Sequence, residues 1–257
     1  MTWNPRQYLR YGDQRLRPAL ELLARIPLEA PAGIVDLGCG PGNVTPYLQA
    51  RWPEARLTGV DSSAEMLEAA GAALPGAAWI QADAAAWRPE TPPDLIYANA
   101  SLHWLDDHAA LFPRLFGLLA PGGVLAVQMP RNFQAPSHTE MRALAANGPW
   151  RDRLAPLLRP DPVAAPAFYW DLLRPLGAAV DIWETEYLQG LRGEDAVLQW
   201  MLGTSLKPLA DALPPDQRAL FLERLGARLA LAYPRRNDGL TLYPFRRLFL
   251  VAGQDRL

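Results

Sequence analysis

The chain has 257 residues, half of them apolar and a fifth charged, which gives ample material for a buried core and argues against bulk disorder. Its 25 basic and 27 acidic residues leave a formal charge of −2, so no general nucleic-acid coat is expected. Cys39 is the sole cysteine and His103, His108 and His138 are scattered, which excludes an internal disulfide and argues against a zinc site.

The first residues carry arginines but no apolar core of a secretory signal. No apolar run approaches the roughly 18 residues a membrane helix needs. The expectation is a cytoplasmic protein with no membrane or nucleic-acid partner. Lys207 is the single lysine, and every other basic residue is arginine. Genomic base composition explains such a bias; so would guanidinium forks that hold carboxylates or phosphates.

An N-terminal helical segment is expected over residues 1–30. The pattern then predicts strands over 32–37, 55–60, 77–80, 94–98 and 124–128, with helices over 43–51, 64–73 and 108–119 between them. Strands separated by helices of about ten residues mean βαβ units and a parallel sheet. After Pro130 the texture changes. Residues 130–178 carry many prolines between short helical stretches and read as a helical cap insertion. A strand is expected over 178–188, helices over 194–232 with breaks at Pro208 and at Pro214-Pro215, and a last strand over 245–253. A second cap insertion is assigned to 190–243, all within one domain, 1–257.

The main chemical signal is the run from Val35 to Asn43, VDLGCGPGN. A strand enters a glycine-rich turn and leaves as a helix. Glycine lets the backbone approach a ligand where a Cβ would collide. The dinucleotide fingerprint needs a further glycine at position 43, where the chain has Asn43. Asp36 would repel a pyrophosphate and welcome an ammonium. Asp61 and Asp83 close the next two predicted strands, and open α/β sheets bind ligands at such ends. Asp61 can accept hydrogen bonds from ribose hydroxyls and Asp83 from an adenine amino group. A strand-end aspartate is also a common helix cap.

These motifs, DLGCGPGN, VDSS at 60–63, QAD at 81–83 and the PGG turn at 121–123, resemble the class I S-adenosylmethionine-dependent methyltransferases. WNPRQYL at 3–9, RPALELLARIPL at 17–28, ANASLHWL at 98–105, GVLAVQMP at 123–130 and RLFLVA at 247–252 are similar to the trans-aconitate 2-methyltransferases within that superfamily. The resemblance implies a Rossmann-like α/β fold with a seven-stranded, mostly parallel sheet, the last strand antiparallel, and a helical cap. It implies S-adenosylmethionine as cofactor and S-adenosylhomocysteine as product. Gly38, Gly40, Gly42 and Asn99 would face the methionine part, Asp61 and Ser62 the ribose, and Asp83 and Ala84 the adenine. Trp87 either borders the adenine or fills the core. Arg15 either holds the cofactor carboxylate or is a solvated helix residue.

A carboxylate acceptor is already ionised at pH 7, so transfer needs positioning and no general base. His103 stands where the family pattern has glutamine, and it reads with Trp104 as a positioning group. A tricarboxylate acceptor needs cations. Arg142, Lys207 and Arg247 are the candidates, with Arg131 a weaker one, and Trp3, Asn4 and Tyr8 would close over the site. The sequence leaves open another small acid, a phenol (for which His103 would serve as base) or a non-catalytic cofactor-binding protein. It gives no oligomeric state; a monomer is sufficient.

Overall fold

The computed structural model describes residues 12–158 and 161–254, except for the side chains of 12–15. Helix α1 spans Gly12–Ala24 and leads into β1, Gly33–Leu37. There follow α2 (Thr45–Arg51), β2 (Arg56–Asp61), α3 (Ala64–Ala73), β3 (Ala78–Gln81), β4 (Leu95–Asn99), α4 (His108–Gly117) and β5 (Val124–Pro130). Helix α1 ends at Ala24, short of the expected helical segment's end at 30, whereas from β1 to β5 each element lies within two residues of its expected bounds at either end. Local chemistry explains this: Ser63 caps α3 by accepting from the Met66 amide, and Pro46 opens α2 with its fixed φ.

The seven strands are ordered β3-β2-β1-β4-β5-β7-β6. β1 to β5 run parallel, and β7 (Leu240–Gln254) lies antiparallel to β5, with Gln128 opposite Phe249 and Pro130 opposite Arg247. The expected fold class therefore stands. From β1 the chain moves outward to β2 on one side and later to β4 on the other. The strand order reverses there, which is where open α/β sheets leave a crevice. The central strands are apolar almost throughout, with Ile34, Leu37, Leu95–Ala98 and Val124–Val127 all buried. Such runs suit strands covered on both faces. Buried Tyr97 donates to the Ala19 carbonyl at 2.8 Å and ties α1 to β4.

The later elements depart further from their expected bounds. β6 extends over Ala178–Arg192 and β7 begins five residues early, because their length is set by pairing rather than by local pattern. The expected breaks in the 194–232 stretch are present, and at each the proline lies in the first turn of the next helix. Pro208 is the second residue of α9 (Lys207–Asp211) and Pro215 the first of α10 (Pro215–Ala232), after α8 (Ala196–Leu202). Residues 130–178 hold α5 (Pro136–Ala145), α6 (Arg151–Leu154) and α7 (Pro166–Leu173).

Among the described residues, Arg131–Asp161 and Glu186–Arg246 form one compact unit, and the rest form another that contains the parallel sheet. The first unit has its own aromatic core. Fully buried Trp150 meets Phe221 edge-on and donates to the Leu144 carbonyl, while Trp200 packs on Tyr243 and Phe245. No helix among the described residues is long and apolar enough to cross a membrane.

Two arginines use their forks on backbone carbonyls. Arg51 donates to the carbonyls of Leu23 and Ile26, and Arg114 to those of Ala84 and Trp87. Trp79 on β3 sets a second constraint: a methyl group at Gly59 would lie 2.2 Å from its ring. The indole is held by its hydrogen bond to the Leu74 carbonyl. Gly59→Ala should therefore destabilise the protein by about 1–3 kcal/mol, as over-packing does. Urea unfolding checks this, and an unchanged midpoint would contradict the close packing.

Candidate active site

The glycine turn leaves β1 with Gly38, Gly40 and Gly42 all at positive φ, +74°, +55° and +76°. Their surroundings differ. A methyl group at Gly38 would lie 2.2 Å from the Ser101 Cβ, and one at Gly42 would press on Ala70 and Trp79. At Gly40 it would meet nothing within 4 Å. Gly38 and Gly42 thus serve packing between loop, β4 end and α3, whereas Gly40 borders open space.

Asp61 holds this turn. One carboxylate oxygen accepts from the Gly40 amide at 2.9 Å and the other from the Ser63 amide at 2.9 Å. A carboxylate has about four lone-pair positions, so each oxygen keeps further capacity. Asp83 is exposed and accepts from the Ala85 amide at 2.8 Å. Ser62 is exposed, Ala84 is partly so, and Trp87 is buried at 6% exposure with its carbonyl clasped by Arg114.

Asp36 faces inward. It is 2% exposed and accepts from the Thr45 hydroxyl at 2.8 Å. Burial pushes its carboxyl up from 3.8 to about 7, the Thr45 bond opposes this, and the Asp61 charge adds to it. Burial, with Asp36 and Asp61 beside it, also holds the Cys39 thiol far above its ordinary value, so Cys39 is a packing residue and no nucleophile.

The β4 end lies across the crevice. Ser101 donates to the Leu37 carbonyl at 2.8 Å, which locks the two loops together. Ala100 adopts φ +52°, a left-handed conformation that costs a non-glycine residue about 1–2 kcal/mol. Such strain gathers at functional sites. The Asn99 Oδ1 is buried with no hydrogen-bond donor among the described residues. His103 and Trp104 follow on a short 3₁₀ turn, Leu102–Trp104, with their rings 4.8 Å apart; His103 is buried and Trp104 exposed. His108 braces that turn. Its Nε2 faces the Leu102 carbonyl and must donate, and Nδ1 bonds the Tyr169 hydroxyl at 2.8 Å, as the acceptor in the neutral ring.

The candidate cations have different settings. Arg142 pairs with Asp161 at 3.3 Å, beside buried His138, whose imidazole is pushed down to about 4 first by burial and then by Arg142. Lys207 pairs with Asp211 at 2.5 Å within its own helix. The Arg131 amide donates to the Arg246 carbonyl. Arg247 is 5% exposed and donates to the Oε1 of fully buried Gln128 at 3.4 Å. Trp3, Asn4, Tyr8 and the Arg15 side chain lie outside the described residues. No cluster of metal-ligating side chains occurs among the described residues.

A family model described as a methyltransferase domain matches residues 8–170. The chain is 52% identical to the trans-aconitate 2-methyltransferase of Methylobacterium radiotolerans, the alignment covering 97% of each. It is 51% identical to that of an Azoarcus species and 52% to that of Paracidovorax citrulli, covering 98% of each chain in both cases. The chain belongs to the trans-aconitate 2-methyltransferase family. Among solved structures it resembles the YcgJ protein of Bacillus subtilis, with TM-score 0.62 at 14% identity over 93% of this chain and 98% of that one. It also resembles a phosphoethanolamine N-methyltransferase of Haemonchus contortus bound to S-adenosylhomocysteine, with TM-score 0.55 at 15% identity over 93% and 52%. These two likenesses concern the fold.

Sequence reasoning missed Thr45, Ser101, Ala100 and Gln128. Gln128 had a signal: it is a lone polar residue inside the apolar run VLAVQMP. Ser101 and Thr45 had none, because their partners are distant in sequence or on another element.

Asp36 links this site to pH. Its folded carboxyl binds a proton more tightly than the unfolded one, so its contribution to stability is full below about pH 4 and is lost as pH rises through 7. Asparagine keeps an acceptor for Thr45 and cannot ionise. Relative to wild type, Asp36→Asn should gain on the order of 4 kcal/mol between about pH 4 and about pH 8. Urea unfolding at both pH values checks it; a constant difference would rule out a buried carboxyl that titrates this high.

Proposed function

We propose that the protein transfers the methyl group of S-adenosylmethionine to a carboxylate oxygen of trans-aconitate, giving a monomethyl ester and S-adenosylhomocysteine. The observation that carries the acceptor assignment is the buried Arg247–Gln128 pair, at the carboxyl end of β5. The relatives' names support the substrate. A cytoplasmic location and a small carboxylate as the partner belong to the same proposal.

The residues present fit the cofactor. Open space at Gly40 admits a ligand against the backbone, and the orphaned Asn99 Oδ1 offers an acceptor to an ammonium group. Asp61 makes the turn negative, and Asp36 adds to this as pH rises through about 7, which favours the same cationic end. Asp61 has lone pairs left for ribose hydroxyls, with Ser62 beside it. Asp83, Ala84 and Trp87 belong to the adenine side. When bound, the cofactor supplies an electrophilic methyl group on a sulfonium.

The protein's own contribution is then positional. The acceptor carboxylate is ionised at neutral pH and needs no base. Holding its oxygen in line with the methyl group, without intervening water, supplies the rate; such proximity is worth roughly 7–11 kcal/mol. His103 and Trp104 form acceptor-side walls. Of the three anchoring candidates, Arg247 is favoured. Arg247 is buried and stands opposite Pro130 at the carboxyl end of β5, whereas Arg142 and Lys207 are partly exposed on helices α5 and α9.

Asp61→Ala should weaken S-adenosylhomocysteine binding by about 1.5–3 kcal/mol, the value of a charge-assisted hydrogen bond. Titration calorimetry on the folded variant measures this, and unchanged affinity would remove Asp61 from the ribose. Arg247→Lys keeps the charge and loses the planar fork. It should raise the trans-aconitate KM at least about tenfold, about 1.4 kcal/mol, less than the roughly 2–5 kcal/mol cost of removing one partner of a buried charge pair outright, while cofactor affinity stays the same. Steady-state assays with labelled methyl donor decide this. Equal KM values for wild type and variant would place the acceptor anchor elsewhere.

A further inference from the structure

Gln128 sits in a strand whose neighbours Val124, Leu125, Ala126, Val127 and Met129 are all apolar and buried. Its own side chain is fully buried. A primary amide in that position brings one acceptor and two donors that all need partners. The Arg247 guanidinium has only donors, so the oxygen of Gln128 must face it, and the observed bond from Nη1 to Oε1 has that sense. This fixes the amide's orientation and leaves Nε2 as the donor that Arg247 cannot engage. Nε2 has no acceptor among the described residues.

The neighbours do not supply one. Across the β5–β7 ladder Gln128 is opposite Phe249, which is apolar. Across the β4–β5 ladder it is opposite Asn99, whose buried Oδ1 is itself without a donor, so the two amides do not satisfy each other. Residues opposite one another in a ladder share a face of the sheet. One sheet face therefore presents an unused donor on β5 and an unused acceptor at the β4 end, next to a buried guanidinium.

We infer that Gln128 determines acceptor specificity: its Oε1 orients the Arg247 guanidinium, and its Nε2 donates a second hydrogen bond to the acceptor carboxylate that Arg247 holds. This rests on the assignment of Arg247 to the acceptor. Two donors tethered to each other suit the two oxygens of one carboxylate, and a charged fork beside a neutral amide prefers that anion to an ester. The Asn99 Oδ1, an acceptor, would repel a carboxylate and leaves that group to the Gln128 side.

The test compares Gln128→Met, Gln128→Glu and Arg247→Lys. Each is assayed for S-adenosylhomocysteine affinity, and for KM and kcat with trans-aconitate and with its monomethyl ester. Gln128→Met should raise the trans-aconitate KM at least about tenfold with kcat and cofactor affinity within about threefold, and should narrow the preference for the acid over the ester. Gln128→Glu, of nearly the same shape, should raise KM about a hundredfold, because its carboxylate takes Arg247 and repels the acceptor. Combined with Arg247→Lys, the effect of Gln128→Met should be less than multiplicative. If Gln128→Met loses cofactor affinity through misfolding, Gln128→Glu decides. A raised KM at unchanged cofactor affinity supports the inference, and an unchanged KM overturns it. If Arg247→Lys raises KM while neither Gln128 variant does, Gln128 is a packing residue and the Arg247 reading stands. If Arg247→Lys leaves KM unchanged, that reading fails and takes this inference with it.

Discussion

The Asp61 carboxylate is the point on which the geometry of the glycine turn depends. It accepts from the Gly40 amide on one side and the Ser63 amide on the other, both at 2.9 Å. One side chain thereby fixes the turn after β1 and the start of α3. The Gly38 and Cys39 amides donate to the Val60 carbonyl next to it, so the turn is pinned to the β2 end by backbone as well. From the other side Ser101 binds the Leu37 carbonyl. Three loops from three strands are held in place before any ligand arrives, and preorganisation of this kind lowers the ordering cost of binding.

Crowding and strain meet at the same edge. Gly38 must lack a Cβ because Ser101 occupies its place, Gly42 because Ala70 and Trp79 press on it, and Ala100 is held at positive φ. Asp36 is buried next to Asp61, a repulsive arrangement in an otherwise apolar strand.

The polar row on the far side has a different logic. Asn99, Gln128 and Arg247 stand on neighbouring strands, and two of their polar atoms, Asn99 Oδ1 and Gln128 Nε2, are buried without partners among the described residues. Leaving buried polar atoms unmatched costs stability. A sheet built for stability alone would carry aliphatic residues at these places, as the rest of β5 does. The cost is consistent with atoms reserved for a ligand.

The sequence by itself determined the alternation of strands and helices from β1 to β5, the class of turn after β1, and the acids at 36, 61 and 83. These are local features: apolar runs, Ser63 as a cap, glycine spacing. It also determined the family, through motifs spread along nearly the whole chain. Tertiary structure alone decided why each glycine is needed, since Gly38, Gly40 and Gly42 look alike in sequence and differ only in what surrounds them. It lengthened β6 and β7, whose pairing joins segments far apart in the chain. It separated the arginines too. Arg142, Arg51, Arg114 and Arg247 are the same residue in sequence, but one meets an aspartate, two meet backbone carbonyls and one meets a buried amide. Which partner a long side chain finds depends on what the fold brings within a few ångströms of it, and local sequence does not encode that distance.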